Sequence, residues 1–130
     1  LRQLRQLTHK GIQETIRTTL MRYRIVLAEA TRVSFDFDGT LETKRGQEIA
    51  KNELEAGNDV WIITARDISD SRPVLKIADT LGIPHSKVVF TNGEDKWKYM
   101  IRYRIAKHYD NNAEQIKKIN KHTNTKGIIF

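Results

Sequence analysis

The sequence contains no cysteine, which excludes disulfides and thiolate metal sites, so any bound metal must take oxygen or imidazole ligands. A zero count is also compatible with a reducing compartment. Long hydrophobic runs are missing as well. No stretch approaches the roughly eighteen apolar residues that a membrane-spanning helix needs, and no basic–apolar–small signal pattern is present. These absences predict a soluble, intracellular and cytoplasmic protein with no membrane partner. The chain begins at Leu1 rather than a methionine, as a processed or excised chain would.

What is present fits one compact domain: 130 residues with 38% hydrophobic content can close a single core without staples. The net charge of +7 is uneven, because residues 1–34 hold seven Lys/Arg against two Asp/Glu and the other 96 residues carry only +2. A basic segment attracts phosphate-rich partners at long range, although a solvated helix face is the simpler explanation. Within residues 8–30, Ile12, Ile16, Leu20, Tyr23 and Leu27 recur at steps of three and four, the spacing of one helix face. A basic amphipathic helical segment is therefore expected over residues 1–31. It has two open roles, packing on the domain that follows or docking on a protein or nucleic-acid partner.

From Arg32 onward, short apolar strands alternate with helical stretches. Strands are expected at 33–37, 60–63, 88–90, 105–109 and 127–130, with helices at 47–56, 73–81, 96–103 and 113–121. This alternation predicts an α/β fold for residues 32–130: a three-layer sandwich around a five-stranded parallel Rossmann-like sheet. In open sheets of this type ligands gather at the carboxyl ends of the strands, which directs attention to four clusters.

The first cluster is Asp36-Phe37-Asp38-Gly39-Thr40-Leu41, closing the first strand. Two like charges so close would repel, and a divalent cation is the usual remedy; solvated acids at a strand end would explain either aspartate alone. The second is Thr64-Ala65-Arg66, where a hydroxyl, backbone amides and a fixed cation can hold phosphate oxygens. The third is Thr91-Asn92-Gly93-Glu94-Asp95-Lys96, which places a lysine at a helix start. The fourth is His108-Tyr109-Asp110-Asn111-Asn112, a carboxylate with amide oxygens suited to magnesium, or else a simple Asx turn.

Together these clusters resemble the four motifs of the haloacid dehalogenase-like hydrolase superfamily, over about residues 32–130. Asp36, Asp38, Gly39, Thr40 and Leu41 match its first motif in full, Thr64 its second and Lys96 its third, with Lys98 and Lys87 less well placed. In the fourth, Asp110 is kept while Asn111 and Asn112 stand where a second acid is common. The resemblance implies a magnesium-dependent phosphomonoesterase in which Asp36 is the nucleophile and forms an aspartyl phosphate. It implies that Asp38 is the general acid and base, and that Thr64 and Lys96 bind the non-bridging oxygens. Magnesium would be held by Asp36, the Asp38 carbonyl, Asp110 and Asn111, with Gly39, Thr40, Arg66 and Asn92 on the substrate side. Cap insertions set specificity in such enzymes. Residues 40–47 leave room for a small flap only and 67–73 form a loop, so a capless member is expected, with nucleotide and macromolecular phosphates among its candidate substrates.

Two further functions stay open: a weak or inactive structural module working through its basic helix, which the asparagines of the fourth cluster favour, and a polynucleotide-end phosphatase. A receiver-type phosphorelay module would need an aspartate closing the third strand, and residues 88–91 supply none. His9, His85, His108 and His122 lack metal-ligand spacing and read as surface or strand residues, while Trp61 and Trp97 read as packing residues.

Overall fold

The computed structural model describes residues 30–130 together with Ile16. Of the basic segment expected over 1–31, residues 1–15 and 17–29 lie outside the described residues; Ile16 is helical, and Thr31–Phe130 forms its own unit.

Five short strands carry the β-branched and aromatic residues that suit a pleated, buried surface. They are β1 (Arg32–Phe35), β2 (Asp59–Thr64), β3 (Val88–Phe90), β4 (Lys107–Asp110) and β5 (Lys126–Ile129). All neighbours pair in parallel, in the order β3-β2-β1-β4-β5. Parallel neighbours need crossovers, which helices α1 (Lys44–Glu55), α2 (Arg72–Leu81), α3 (Trp97–Arg102) and α4 (Ala113–His122) supply.

The alternation of strand residues sends side chains to two cores. Val33, Phe35, Val60 and Ile62 pack with Ala50 of α1 and with Val74 and Ala78 of α2. On the opposite face, Trp61 and Ile63 pack with Met100 of α3 and Ile119 of α4. Each fully buried side chain of this size contributes about 1.5–3 kcal/mol through area removed from water. The result is the expected three-layer α/β architecture. The strand order reverses between β1 and β4, and that reversal opens the crevice in which open α/β sheets bind their ligands.

Several boundaries differ from expectation. Helix α1 starts at Lys44 rather than at 47, because Thr43 caps it by accepting from the Gly46 amide at 3.0 Å. The expected flap over 40–47 is thereby reduced to a tight turn. Strand β4 begins at Lys107, and Ile105, expected within it, instead joins the core beneath α3. Asp110 consequently belongs to the strand itself, where its carbonyl accepts from the Phe130 amide at 2.8 Å. The 67–73 loop contains a short turn, Ile68–Asp70, capped by Asp67.

Candidate active site

Ser34 and Asp36 lie two residues apart along β1 and its end, as do His108 and Asp110 on β4. The register sets Ser34 opposite His108. Period-two alternation therefore points all four toward the face that α3 and α4 cover. Lys96 stands at the N-cap of α3, directly over this row, and its side chain is 3% exposed. Its Nζ donates to Asp36 Oδ1 and to Asp110 Oδ2, each at 2.7 Å. Gln115 of α4 fixes the lysine from behind, with Oε1 accepting from the Lys96 amide at 3.0 Å and Nε2 donating to Asp95 at 3.2 Å.

One buried ammonium thus faces two buried carboxylates, and their proton affinities part accordingly. Burial pushes Asp36 from its ordinary 3.8 up to about 6, and the Asp110 charge adds to this, while Lys96 offsets only part. For Asp110 burial acts in the same direction, but hydrogen bonds from His108 and Lys96 outweigh it and hold the group down at about 2. Its second oxygen, Oδ1, accepts from the Asn112 amide at 2.9 Å. His108 is fully buried, and desolvation lowers its pKa.

The first-motif turn, Phe37–Leu41, brings Asp38 to the surface. Gly39 turns the chain with φ of 73°, and a Cβ there would sit 2.2 Å from Asn111 Nδ2. Glycine is required on both counts, and the same contact shows that Asn111 lies against this turn. The Asp38 carboxylate pairs with Arg66, whose Nη2 and Nε donate at 2.7 and 3.0 Å; the guanidinium also lies over the Phe37 ring at 5.1 Å. These hydrogen bonds lower the Asp38 pKa. Half-exposed as it is, the pair is worth little in stability.

Thr64 is buried at the end of β2 and accepts from the Arg66 amide at 3.2 Å. Thr40 is buried with Oγ1 3.4 Å from Asp36 Oδ2. Asn92 is exposed on the turn after β3, with φ of 51°, and joins the neighbourhood only through its backbone, whose amide donates to the Arg66 carbonyl at 3.3 Å. Lys87 pairs with Asp59 and Lys98 lies over the Trp97 ring, so Lys96 is the lysine that meets the carboxylates. Asn112 is committed to capping α4, accepting from the Glu114 and Gln115 amides.

Three residues of the cluster were not legible in the sequence. His108, expected as a surface or strand residue, is a residue of strand β4, and beyond that expectation it is hydrogen-bonded to Asp110 through Nε2 at 3.0 Å and to Ser34 Oγ through Nδ1 at 2.7 Å. The usable signal was its spacing: His108 and Ser34 each precede a site aspartate by two residues within a strand. Gln115 carried no comparable signal. Trp61 is buried as expected, whereas Trp97 is only half-buried, against His122.

Among the described residues no group of three or more His, Cys, Asp or Glu side chains is assembled as a metal site. Lys96 nevertheless leaves Asp36 Oδ2 and Asp110 Oδ1 unheld, both carboxylate oxygens, the donor type that a hard cation takes. The two carboxylates are also one positive charge short. Both features fit a hard divalent cation. Also among the described residues, no helix is long and apolar enough to cross a membrane.

No family model and no curated protein matches the chain. Among solved structures, one from Vibrio cholerae described as a "putative 3-deoxy-D-manno-octulosonate 8-phosphate phosphatase" is similar at 18% identity with a TM-score of 0.46. The match covers 72% of this chain and 64% of that one, so the chain spans less than two thirds of that protein's length. A likeness of this size says nothing about what the chain does.

Proposed function

We propose that the chain is a magnesium-dependent phosphomonoesterase, a capless member of the haloacid dehalogenase-like superfamily that works through an aspartyl phosphate on Asp36. The observation that carries this reading is the convergence of Asp36 and Asp110, from adjacent parallel strands at the switch point, on the single buried ammonium of Lys96.

In the first step an Asp36 carboxylate oxygen attacks phosphorus in line, the P–O bond to the leaving group breaks, and Asp38 gives the departing alkoxide its proton. Water then attacks the aspartyl phosphate, Asp38 takes a proton from that water, and inorganic phosphate leaves with Asp36 restored. With its pKa raised to about 6, Asp36 is largely ionised at neutral pH and so competent to attack. Asp38 must carry a proton when the ester binds, which its pairing with Arg66 opposes. An arriving phosphate competes for the guanidinium, and loss of that partner lets the Asp38 pKa rise. Lys96 and Thr64 hold non-bridging oxygens, the lysine also balancing Asp36. Asp36, the Asp38 carbonyl, Asp110 and Asn111 would hold magnesium, which supplies the positive charge that lets an anionic ester approach an anionic nucleophile.

Short connections favour an open mouth: α1 starts three residues after the first-motif turn, and only the Ile68–Asp70 turn intervenes between β2 and α2. Substrates with bulky leaving groups are therefore admitted. The test is hydrolysis of a phosphomonoester panel with and without magnesium, by the natural protein and by Asp36→Asn. At least one ester should be turned over only with magnesium, and Asp36→Asn should lose about a thousand-fold or more. Equal turnover by the two proteins would refute the assignment.

A further inference from the structure

A fully buried, hydrogen-bonded histidine lies behind Asp110 with no part in the steps above. The row runs Ser34 Oγ, His108 Nδ1 at 2.7 Å, His108 Nε2, Asp110 Oδ2 at 3.0 Å, Lys96 Nζ at 2.7 Å and Asp36 Oδ1 at 2.7 Å. Each of the six atoms comes from a side chain that is at least nine-tenths buried. An ionised carboxylate can only accept, so the His108–Asp110 bond requires a proton on Nε2. Ser34 anchors the other ring nitrogen, and its remaining near neighbour, Met100 Sδ at 3.7 Å, competes weakly. The ring can neither rotate nor flip without losing a partner.

We propose that His108 is a positioning residue of this site: its Nε2–H, with the ring anchored by Ser34, fixes the rotation of the Asp110 carboxylate. A carboxylate oxygen has two lone-pair sites. Oδ2 spends both on Lys96 and His108, whereas Oδ1 spends one on the Asn112 amide. His108 thereby commits Oδ2 to the lysine and leaves Oδ1 as the single oxygen of Asp110 open to a cation. Without the imidazole, Oδ2 has a free site and only Lys96 and the Asn112 amide restrain the carboxylate, so its rotation is less tightly set and both the lysine bridge and the cation ligand lose part of their fixed place. Outer hydrogen-bond partners of carboxylate ligands typically matter by about 10–100-fold.

The kinetic arm rests on the phosphohydrolase reading, and the spectroscopic arm does not. In the full chain, His108→Leu removes the donor, whereas His108→Gln keeps an amide N–H near the place of Nε2. The expected result is a kcat lowered by about ten-fold or more in His108→Leu with KM changed by less than about two-fold, recovery to within about three-fold in His108→Gln, and magnesium binding by calorimetry weakened in His108→Leu alone. A folded His108→Leu protein with natural kcat and magnesium affinity would overturn the proposal. So would a His108→Gln protein as impaired as His108→Leu, because packing rather than hydrogen bonding would then be at fault. Should His108→Leu fail to fold, nitrogen-15 NMR of the natural protein decides: a proton on His108 Nε2 whose resonance shifts in Asp110→Asn supports the proposal, and an unprotonated Nε2 overturns it. If the natural protein hydrolyses no ester, the phosphohydrolase reading falls while the NMR result still judges His108.

Discussion

At the residue scale the site is a problem of charge balance. Lys96 holds two buried carboxylates with one ammonium, so removing it leaves both anions uncompensated in a poorly solvated place. Lys96→Met is expected to destabilise the magnesium-free protein by about 3–5 kcal/mol at neutral pH in urea unfolding. Adding Asp36→Asn should recover part of that loss, because one of the two anions is then gone. The proton affinities give a second expectation. Asp36 binds its proton more tightly when folded, at about 6, than at its ordinary 3.8. Its contribution is fully present below the unfolded value and is lost as pH rises through the folded one, so stability in chelator should fall between about pH 4 and pH 6. The slope is at most about 1.4 kcal/mol per pH unit. Asp110, held down at about 2, acts with the opposite sign and only in more acid solution. Urea midpoints across this range should show the decline in the natural protein and not in Asp36→Asn; the same slope in both would remove Asp36 as its cause. Asp36 and Lys96, which the structure brings together, could be picked out from the sequence because short motifs at strand ends announce them. His108 could not, since its role depends on meeting Ser34, 74 residues away, in one strand register.

At the element scale the first-motif turn and α1 are built against each other. A Cβ on Gly46 would lie 1.9 Å from the Thr40 carbonyl oxygen, a backbone atom that cannot swing aside. Gly46→Ala is therefore expected to cost about 1–3 kcal/mol in urea unfolding, the usual range for overpacking, and to disturb the turn that carries Asp38. An unchanged midpoint would mean that α1 shifts freely. In sequence, residues 44–46 read as part of the flap over 40–47, with the helix expected from 47. The Thr43 cap, whose hydroxyl accepts from the Gly46 amide, starts the helix earlier. The expected strand over 105–109 overlaps β4 but starts two residues early: Ile105 is apolar and buried, which resembles a strand residue, but it serves the α3–α4 core ahead of the strand.

At the scale of the whole molecule, alternating strands and helices made the parallel α/β class readable, since no local pattern other than a crossover sheet explains it. The order β3-β2-β1-β4-β5 was not readable, because pairing between distant segments leaves no mark within either segment. Yet that order determines the site. It sets β1 beside β4, so that Asp36 and Asp110 close on one lysine, and it puts the reversal of the sheet at the same place. In the proposed mechanism Asp36 becomes phosphorylated. The most direct test is to mix the protein with magnesium and a turned-over phosphomonoester, quench in acid within the first turnover, and map the attached phosphate by peptide mass spectrometry. Phosphate on Asp36 in the natural protein, absent from Asp36→Asn, is the expected result. Turnover with phosphate on another residue, or with none bound at any time, would contradict it.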